Sequence, residues 1–493
     1  MVGAGVAGLA AGVRLTALGH EVRVLEQGPA PGGKAGRVEL DGYRFDSGPS
    51  LLTMPWVLSD LFAQTGAPIE DELELHRVDP VTRYRFADGT GFDARADLPE
   101  MVEELERWSP GAGTDWVGVL GICADMWRSS VPVLTGPPPW PPRRPRPGDP
   151  RPDPRDLLRV RPWHTLRSLA RAHVRDPRLR LVIERAATYA GADPRRAPAA
   201  LALAGYVEHA FGAWHVRGGL YAIVEALAGR LEALGGELRL STPVRGIEMA
   251  GGRAHALVTD AGAVAVDAVI SSVDALALYR ELLPVTSGVR GRRLAAAGRR
   301  VEAGERSLSG FALMLGLRGR TPGLAHHTIL FPADYDAEFD DVFRHRRPVR
   351  DPTVYVAASS LSDPAQAPPG AENWFVLVNA PTHGGGLDWD READAYEAEL
   401  LGRIAARGWD VRERIEMRAR RTPADLERET GAPGGAIYGS APHGRLGTLG
   451  RPAGRAPGTR NLWLAGGTTH PGGGLPLVVL GAARVAQEIG PAA

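Results

Sequence analysis

The opening run Gly3-Ala4-Gly5-Val6-Ala7-Gly8 constrains the fold more than any other feature of the chain. Val6, Leu9, Ala10, Val13 and Ala17 follow at helical spacing, so the glycines open a helix. Gly19 ends it, and His20-Glu21-Val22-Arg23-Val24-Leu25 reads as a strand, with Glu26 at its carboxyl end, 23 residues after Gly3. This is the layout of a Rossmann-like βαβ unit. The first glycine permits a tight turn, the second lets a pyrophosphate reach the backbone, and the third lets helix and strand pack closely. Free N–H groups at the positive helix end hold the anion, and Glu26 accepts hydrogen bonds from an adenosine ribose. Only Met1 and Val2 precede Gly3, where a strand of about 5–6 residues is usual. The central first strand is therefore expected to be nearly absent, and the natural start to lie upstream of Met1.

A chain of 493 residues calls for two or three structural units. Its formal net charge of zero excludes nucleic acid as the main partner. Lys34 is the single lysine. Cys123 is the single cysteine, which excludes an internal disulfide and suits a reducing, cytoplasmic setting; no nucleophile signature surrounds it. No apolar run reaches the roughly 18 residues of a spanning helix, so membrane contact is expected to be peripheral. The glycines of MVGAGVAGLAAGVRL, with no basic stretch before them, argue against a signal peptide.

Further on stand Pro31-Gly32-Gly33-Lys34-Ala35-Gly36-Arg37 and Tyr43-Arg44-Phe45-Asp46-Ser47-Gly48-Pro49. Near the other end stands Asn461-Leu462-Trp463-Leu464-Ala465-Gly466-Gly467-Thr468-Thr469-His470-Pro471-Gly472-Gly473-Gly474-Leu475-Pro476. Together these resemble the carotenoid (phytoene) desaturase family, within the flavin amine-oxidase-like superfamily. Thr188-Tyr189-Ala190-Gly191, Val216-Arg217-Gly218-Gly219 and Thr242-Pro243-Val244 extend the likeness through the middle of the chain.

The resemblance implies FAD as cofactor, its adenosine against Glu26 and the backbone of Val244. Its pyrophosphate would lie over Gly3, Gly5 and Gly8, with Gly33, Lys34 and Arg37 alongside. The flavin end would meet Gly466, Gly467, Pro471, Gly472, Gly473, Leu475 and Pro476. Read from the residues alone, Leu462–Ala465 is a short buried strand. A helix starting near Pro476 turns its free N–H groups towards the same ligand.

The implied fold is α/β: a Rossmann-like FAD-binding domain, a mixed α+β substrate domain and a helical membrane-associating region. The FAD-binding parts are expected at 1–90, 213–280 and 431–493, the helical region at 91–212 and the substrate domain at 281–430. The segment 137–155 is too rich in proline for helix or central strand and reads as a semi-rigid or disordered loop. After it, Trp163, Leu166, Leu169, Ala170 and Val174 recur at helical spacing, while Arg167, Arg171 and Arg175 form an i, i+4 row. Such a helix, with Trp140 and Trp163 nearby, would lie on an anionic membrane surface. The other reading is a core-packed helix with a solvated arginine face.

The chemistry implied is desaturation of a long isoprenoid: a hydride leaves an allylic C–H for the flavin, a proton leaves the neighbouring carbon, and a conjugated C=C forms. Oxygen or a quinone would reoxidise the flavin, since no second GxGxxG offers a nicotinamide site. A substrate without charge is held by apolar burial, about 25 cal/mol per Å². No metal-ligand spacing and no Ser-His-Asp arrangement stands out. His470 is the acid–base candidate, with a structural, loop-fixing role as its alternative. A hydroxycarotenoid desaturase, a ketolase or oxygenase and an isomerase share every motif named. A non-enzymatic lipid-binding relative is a further alternative. An amine oxidase usually has a lysine beside the flavin, and the one lysine here belongs to the amino-terminal motif.

Overall fold

The computed structural model describes residues 1–136, 153, 155–284, 287–444 and 447–492. Trp140 and nearly all of the proline-rich segment lie outside these residues.

Five parallel positions make the first sheet, in the order Glu237–Arg239, Arg23–Leu25, Val2, Val269–Ser271 and Leu462–Leu464. The short stretch before Gly3 supplies the centre with a single residue. Val2 N–H donates to Ile270 O at 2.9 Å, Ser272 N–H to Val2 O at 2.8 Å, and Gly3 N–H to Leu25 O at 2.8 Å. Three helices, Val6–Ala17, Tyr221–Ala233 and Leu475–Ile489, cover this sheet. Their apolar stripes meet at Leu9, Val13, Val224, Leu227 and Val479, all fully buried. The sheet is thus assembled from the beginning, middle and end of the chain.

The second sheet has seven strands, in the order Ile415–Arg421, Ser309–Arg318, Ala371–Ala380, Val354–Ala357, His327–Leu330, Thr82–Arg85 and Gly91–Ala94. The last two straddle the boundary expected at residue 90. Their edge pairs with His327–Leu330, parallel at Thr82–Arg85, so residues 82–94 belong with the second sheet. Strand alternation sorts its two faces. Phe311, Leu313, Leu315, Trp374 and Val376 pack beneath the helix Trp389–Ala406. Gly310, Ala312, Phe375 and Leu377 turn to the opposite face, where they wall a large cavity. A Cβ on Gly310 would press on Leu377 at 2.8 Å and Ile437 at 3.2 Å, so glycine there lets the wall itself close-pack.

Helices between 98 and 211 close the far side of that cavity. The longest, Ala112–Thr135, is long and apolar enough by length and composition to cross a membrane, contrary to the sequence expectation. Asp115, Asp125 and Arg128 interrupt it as a sequence run. It buries Cys123 and Met126 and carries Val133 and Leu134 to the cavity.

Of the arginine row, Arg171 and Arg175 are exposed whereas Arg167 turns inward. The helix spans Leu166–His173, with Leu166, Leu169 and Ala170 buried. Arg167 is 13% exposed and forked onto Glu184 Oε2, at 3.0 and 2.6 Å, and onto Asp336. Arg175 is committed to Asp115 and the Gly111 carbonyl. Periodicity displays the charges but not their partners, one of which lies 169 residues along the chain. Arg167→Ala should therefore cost on the order of 3 kcal/mol of stability by stranding the buried Glu184. Guanidinium unfolding measures this, and an unchanged midpoint would show the ion pair to be solvated.

Candidate active site

One cavity of about 1020 Å³ runs between the two sheets and the helical cover. Glu26, Gly3, Gly5, Gly33 and Val244 stand on its wall, together with Gly466, Gly467, Pro471, Gly472, Gly473, Leu475 and Pro476. Segments remote in sequence are thus brought to one space.

At the amino-terminal end, each motif glycine has a separate physical reason. Gly3 has φ +90°, and a Cβ on Gly8 would sit 2.2 Å from the Gly3 carbonyl oxygen, so both are fixed by packing. A Cβ on Gly5 would meet nothing nearer than Gly32 O at 3.9 Å. Its openness suits a ligand approaching the first turn of Val6–Ala17, which has no side-chain cap. Glu26 is buried, and its carboxylate accepts from Ala4 N–H at 2.6 Å and Gly28 N–H at 2.9 Å. These bonds aim a fixed negative group at the cavity, where acceptor sites remain for hydroxyls.

At the other end, Gly474 (φ +106°) leads into the helix Leu475–Ile489. Lys34 lines the cavity but spends two protons on the carbonyls of Ala436 (2.9 Å) and Ile437 (2.6 Å). Desolvation lowers its pKa to about 8. Arg451 joins Tyr438 O (3.0 Å) to Gly467 O (2.8 Å), with its pKa brought down to about 10 by the same cause. Asp274 is the nearby counter-charge, and its buried Oδ2 has no hydrogen-bond partner. Arg451 and Asp274 escaped the sequence reading because no motif spacing flags them.

Arg37 is not brought to the cavity. It ion-pairs with Glu39 (3.1 Å) and Glu225 (2.9 Å) and lies over the Tyr221 ring, on the exposed hairpin strand Arg37–Leu40. His470 does line the cavity, yet its Nε2 donates to Val133 O at 2.9 Å and burial pulls its pKa down to about 4. It is a neutral ring pinning the long helix to the carboxyl-terminal motif, which fits the structural role.

Beyond these segments the wall is apolar, with Val133, Leu203, Val207, Ile329, Phe375 and Leu377. Into it intrude Arg185, Tyr189, Glu208, His327, Tyr335 and Tyr355. His327 lies between Val81 O (3.0 Å) and Ser50 O (3.3 Å), and burial lowers its pKa to about 4.

The flavin-containing amine oxidoreductase family model matches residues 6–307. The chain is 33% identical over 508 residues to a zeta-carotene-forming phytoene desaturase of Myxococcus xanthus, covering 99% of this chain and 93% of that one. It is 35% identical over 499 residues to a hydroxyneurosporene desaturase of Rubrivivax gelatinosus, covering 99% and 92%. The chain belongs to the carotenoid desaturase family. As a member of the flavin amine-oxidase-like superfamily it is an FAD-dependent oxidoreductase. An oxidoreductase from Methanosarcina mazei shares its fold, with TM-score 0.67 at 17% identity over 99% of both chains. The cavity of this desaturase-family chain fits FAD. The cradle at Gly5 is open, Glu26 is held in place by backbone N–H groups, and the carboxyl-terminal glycines lie on the same wall.

Glu26→Ala should weaken FAD binding by about 1.5–3 kcal/mol, the worth of hydrogen bonds to a charged group. Arg37→Ala should leave it unchanged. Flavin fluorescence titration reads both, and the reverse ranking would return Arg37 to the site. The buried histidines add a pH signature. The unfolded chain binds protons at His327 and His470 from about pH 6.5 downwards, whereas the native rings stay neutral to about pH 4. Stability therefore falls as pH drops through that window, by about 2 kcal/mol per ring at pH 5. Urea midpoints at pH 7 and pH 5 measure the loss, and equal midpoints would mean that both rings are solvated.

Proposed function

We propose that this protein desaturates a long isoprenoid polyene held along the apolar wall of the cavity. The observation that carries this reading is the continuity of one cavity, from the dinucleotide end at Glu26 to an aliphatic and aromatic wall. Bound there, FAD supplies a two-electron acceptor for the hydride of an allylic C–H. The neighbouring carbon loses a proton, and a C=C bond forms between the two.

The chain's own residues bind, orient and exclude water. Ile329, Phe375 and Leu377 give the polyene apolar contact worth about 25 cal/mol per Å². His470 holds the long helix over the glycine motif. Oxygen or a quinone is the electron acceptor in this reading. Membrane contact is peripheral, and its support comes from the cavity rim rather than the arginine row. Leu158 and Trp163 are 60% and 53% exposed beside the cavity residues Val160 and Pro162, a place where an oily substrate can enter from a bilayer.

Anaerobic mixing tests the reading. Phytoene or a related polyene in liposomes should bleach the oxidised flavin band and yield a product with a longer chromophore, and oxygen or a quinone should restore the band. If only NAD(P)H reduces the flavin, the oxygenase relative describes the protein better. Double bonds that shift without net oxidation would point to an isomerase.

A further inference from the structure

A buried charged cluster interrupts the apolar wall. Arg185 and Tyr189 lie on the 3₁₀ segment Arg185–Ala190 and Glu208 on the helix Leu203–Phe211, and all three line the cavity. Tyr189 Oη accepts from Arg185 Nη2 at 2.6 Å and donates to Glu208 Oε1 at 2.5 Å. Arg185 and Glu208 are each 8% exposed. Arg185 Nε and the hydroxyl of the neighbouring cavity residue Tyr335 have no hydrogen-bond partner.

Burying a guanidinium and a carboxylate costs several kcal/mol, and a space meant for hydrocarbon alone gains nothing from either. Arginine cannot shed its proton, and a carboxylate offers about four acceptor sites, of which Tyr189 takes one. Arg185 Nη2 is spent on Tyr189 and Tyr84, so the guanidinium's remaining Nη protons and the free acceptor sites of Glu208 stand side by side. A hydroxyl group satisfies both, accepting from the guanidinium and donating to the carboxylate. A carbonyl or ether meets only the donor, and a hydrocarbon meets neither.

Resting on the reading of this cavity as a polyene site, we propose that Arg185, Tyr189 and Glu208 form a subsite for a hydroxyl carried by the isoprenoid. The preferred substrate is then a hydroxylated polyene rather than the parent hydrocarbon. The three residues come from two elements packed against each other, so the subsite is built by the fold and not by a mobile loop.

The FAD-loaded protein is offered two acyclic polyenes in phosphatidylcholine liposomes, one with a tertiary hydroxyl near its end and the other its parent hydrocarbon. Binding is followed by quenching of tryptophan fluorescence, and flavin bleaching is followed separately under anaerobic conditions. The wild type should bind the hydroxylated polyene about tenfold tighter or more. Glu208→Gln keeps the side-chain shape and the bond from Tyr189, and should cut that ratio to about twofold. Equal affinities in the wild type overturn the subsite. So does a ratio that Glu208→Gln leaves unchanged, which would give the cluster to folding or to proton chemistry. Bleaching by both polyenes at equal affinity sinks the subsite alone. A clear hydroxyl preference without bleaching keeps the subsite and sinks the desaturase reading.

Discussion

The backbone of Val2 is the seam on which the molecule depends. Its N–H and C=O are bonded to Ile270 and Ser272, while Gly3 beside it is bonded to Leu25. One residue therefore joins the nucleotide-facing half of the parallel sheet to the half that carries the carboxyl-terminal motif. Buried backbone groups must be paired, so any shift here would unpair both neighbours at once. The turn at Gly3 and the helix behind it inherit their position from those bonds. The cradle at Gly5 and the carboxylate of Glu26 follow from it too, since Ala4 N–H is the group that Glu26 holds.

Much of the cofactor end was legible from residue order alone, because glycine spacing is a statement about backbone geometry. Gly3 and Gly8 lie where turn and packing require, and Glu26 stands on the cavity wall. Arg37 was misplaced for a physical reason. A basic residue near a glycine motif looks like an anion ligand, but strand alternation turns it outward to Glu39 and Glu225. Arg167 departs from its row in the same manner, since helical spacing identifies a face without showing that Glu184 and Asp336 cover this residue. Arg185 and Glu208 were invisible for the opposite reason. Thr188-Tyr189-Ala190-Gly191 stood out only as a family-like stretch, and nothing in it says that a carboxylate 19 residues away from Tyr189 will close on its hydroxyl.

The cavity joins two kinds of recognition with different physics. At one end the contacts are directional: backbone N–H groups, a held carboxylate, and cations whose protons are already committed to carbonyls. Along the other wall, away from Arg185 and Glu208, contact is proportional to area and reads little beyond width. Gly310 matters there by what it lacks, since a Cβ would press on Leu377 and Ile437 of the same wall. The second sheet thus serves as a mould, rigid because its opposite face is locked beneath the helix Trp389–Ala406.

The order in which the sheet is assembled also bears on how the chain matures at the ribosome. Leu462–Leu464 pairs with Val269–Ser271, and the helix Leu475–Ile489 packs directly against Val6–Ala17. A nascent chain of some four hundred residues already carries the apolar cavity wall, yet lacks the strand and helix that close it. Until synthesis ends, that wall stays open to water and to other chains, and such intermediates are prone to aggregate. Early loading of the nucleotide end, or shelter by a chaperone or a membrane surface, would shorten the exposure. Loss of the last thirty residues would leave an open, greasy trough rather than a slightly weakened enzyme.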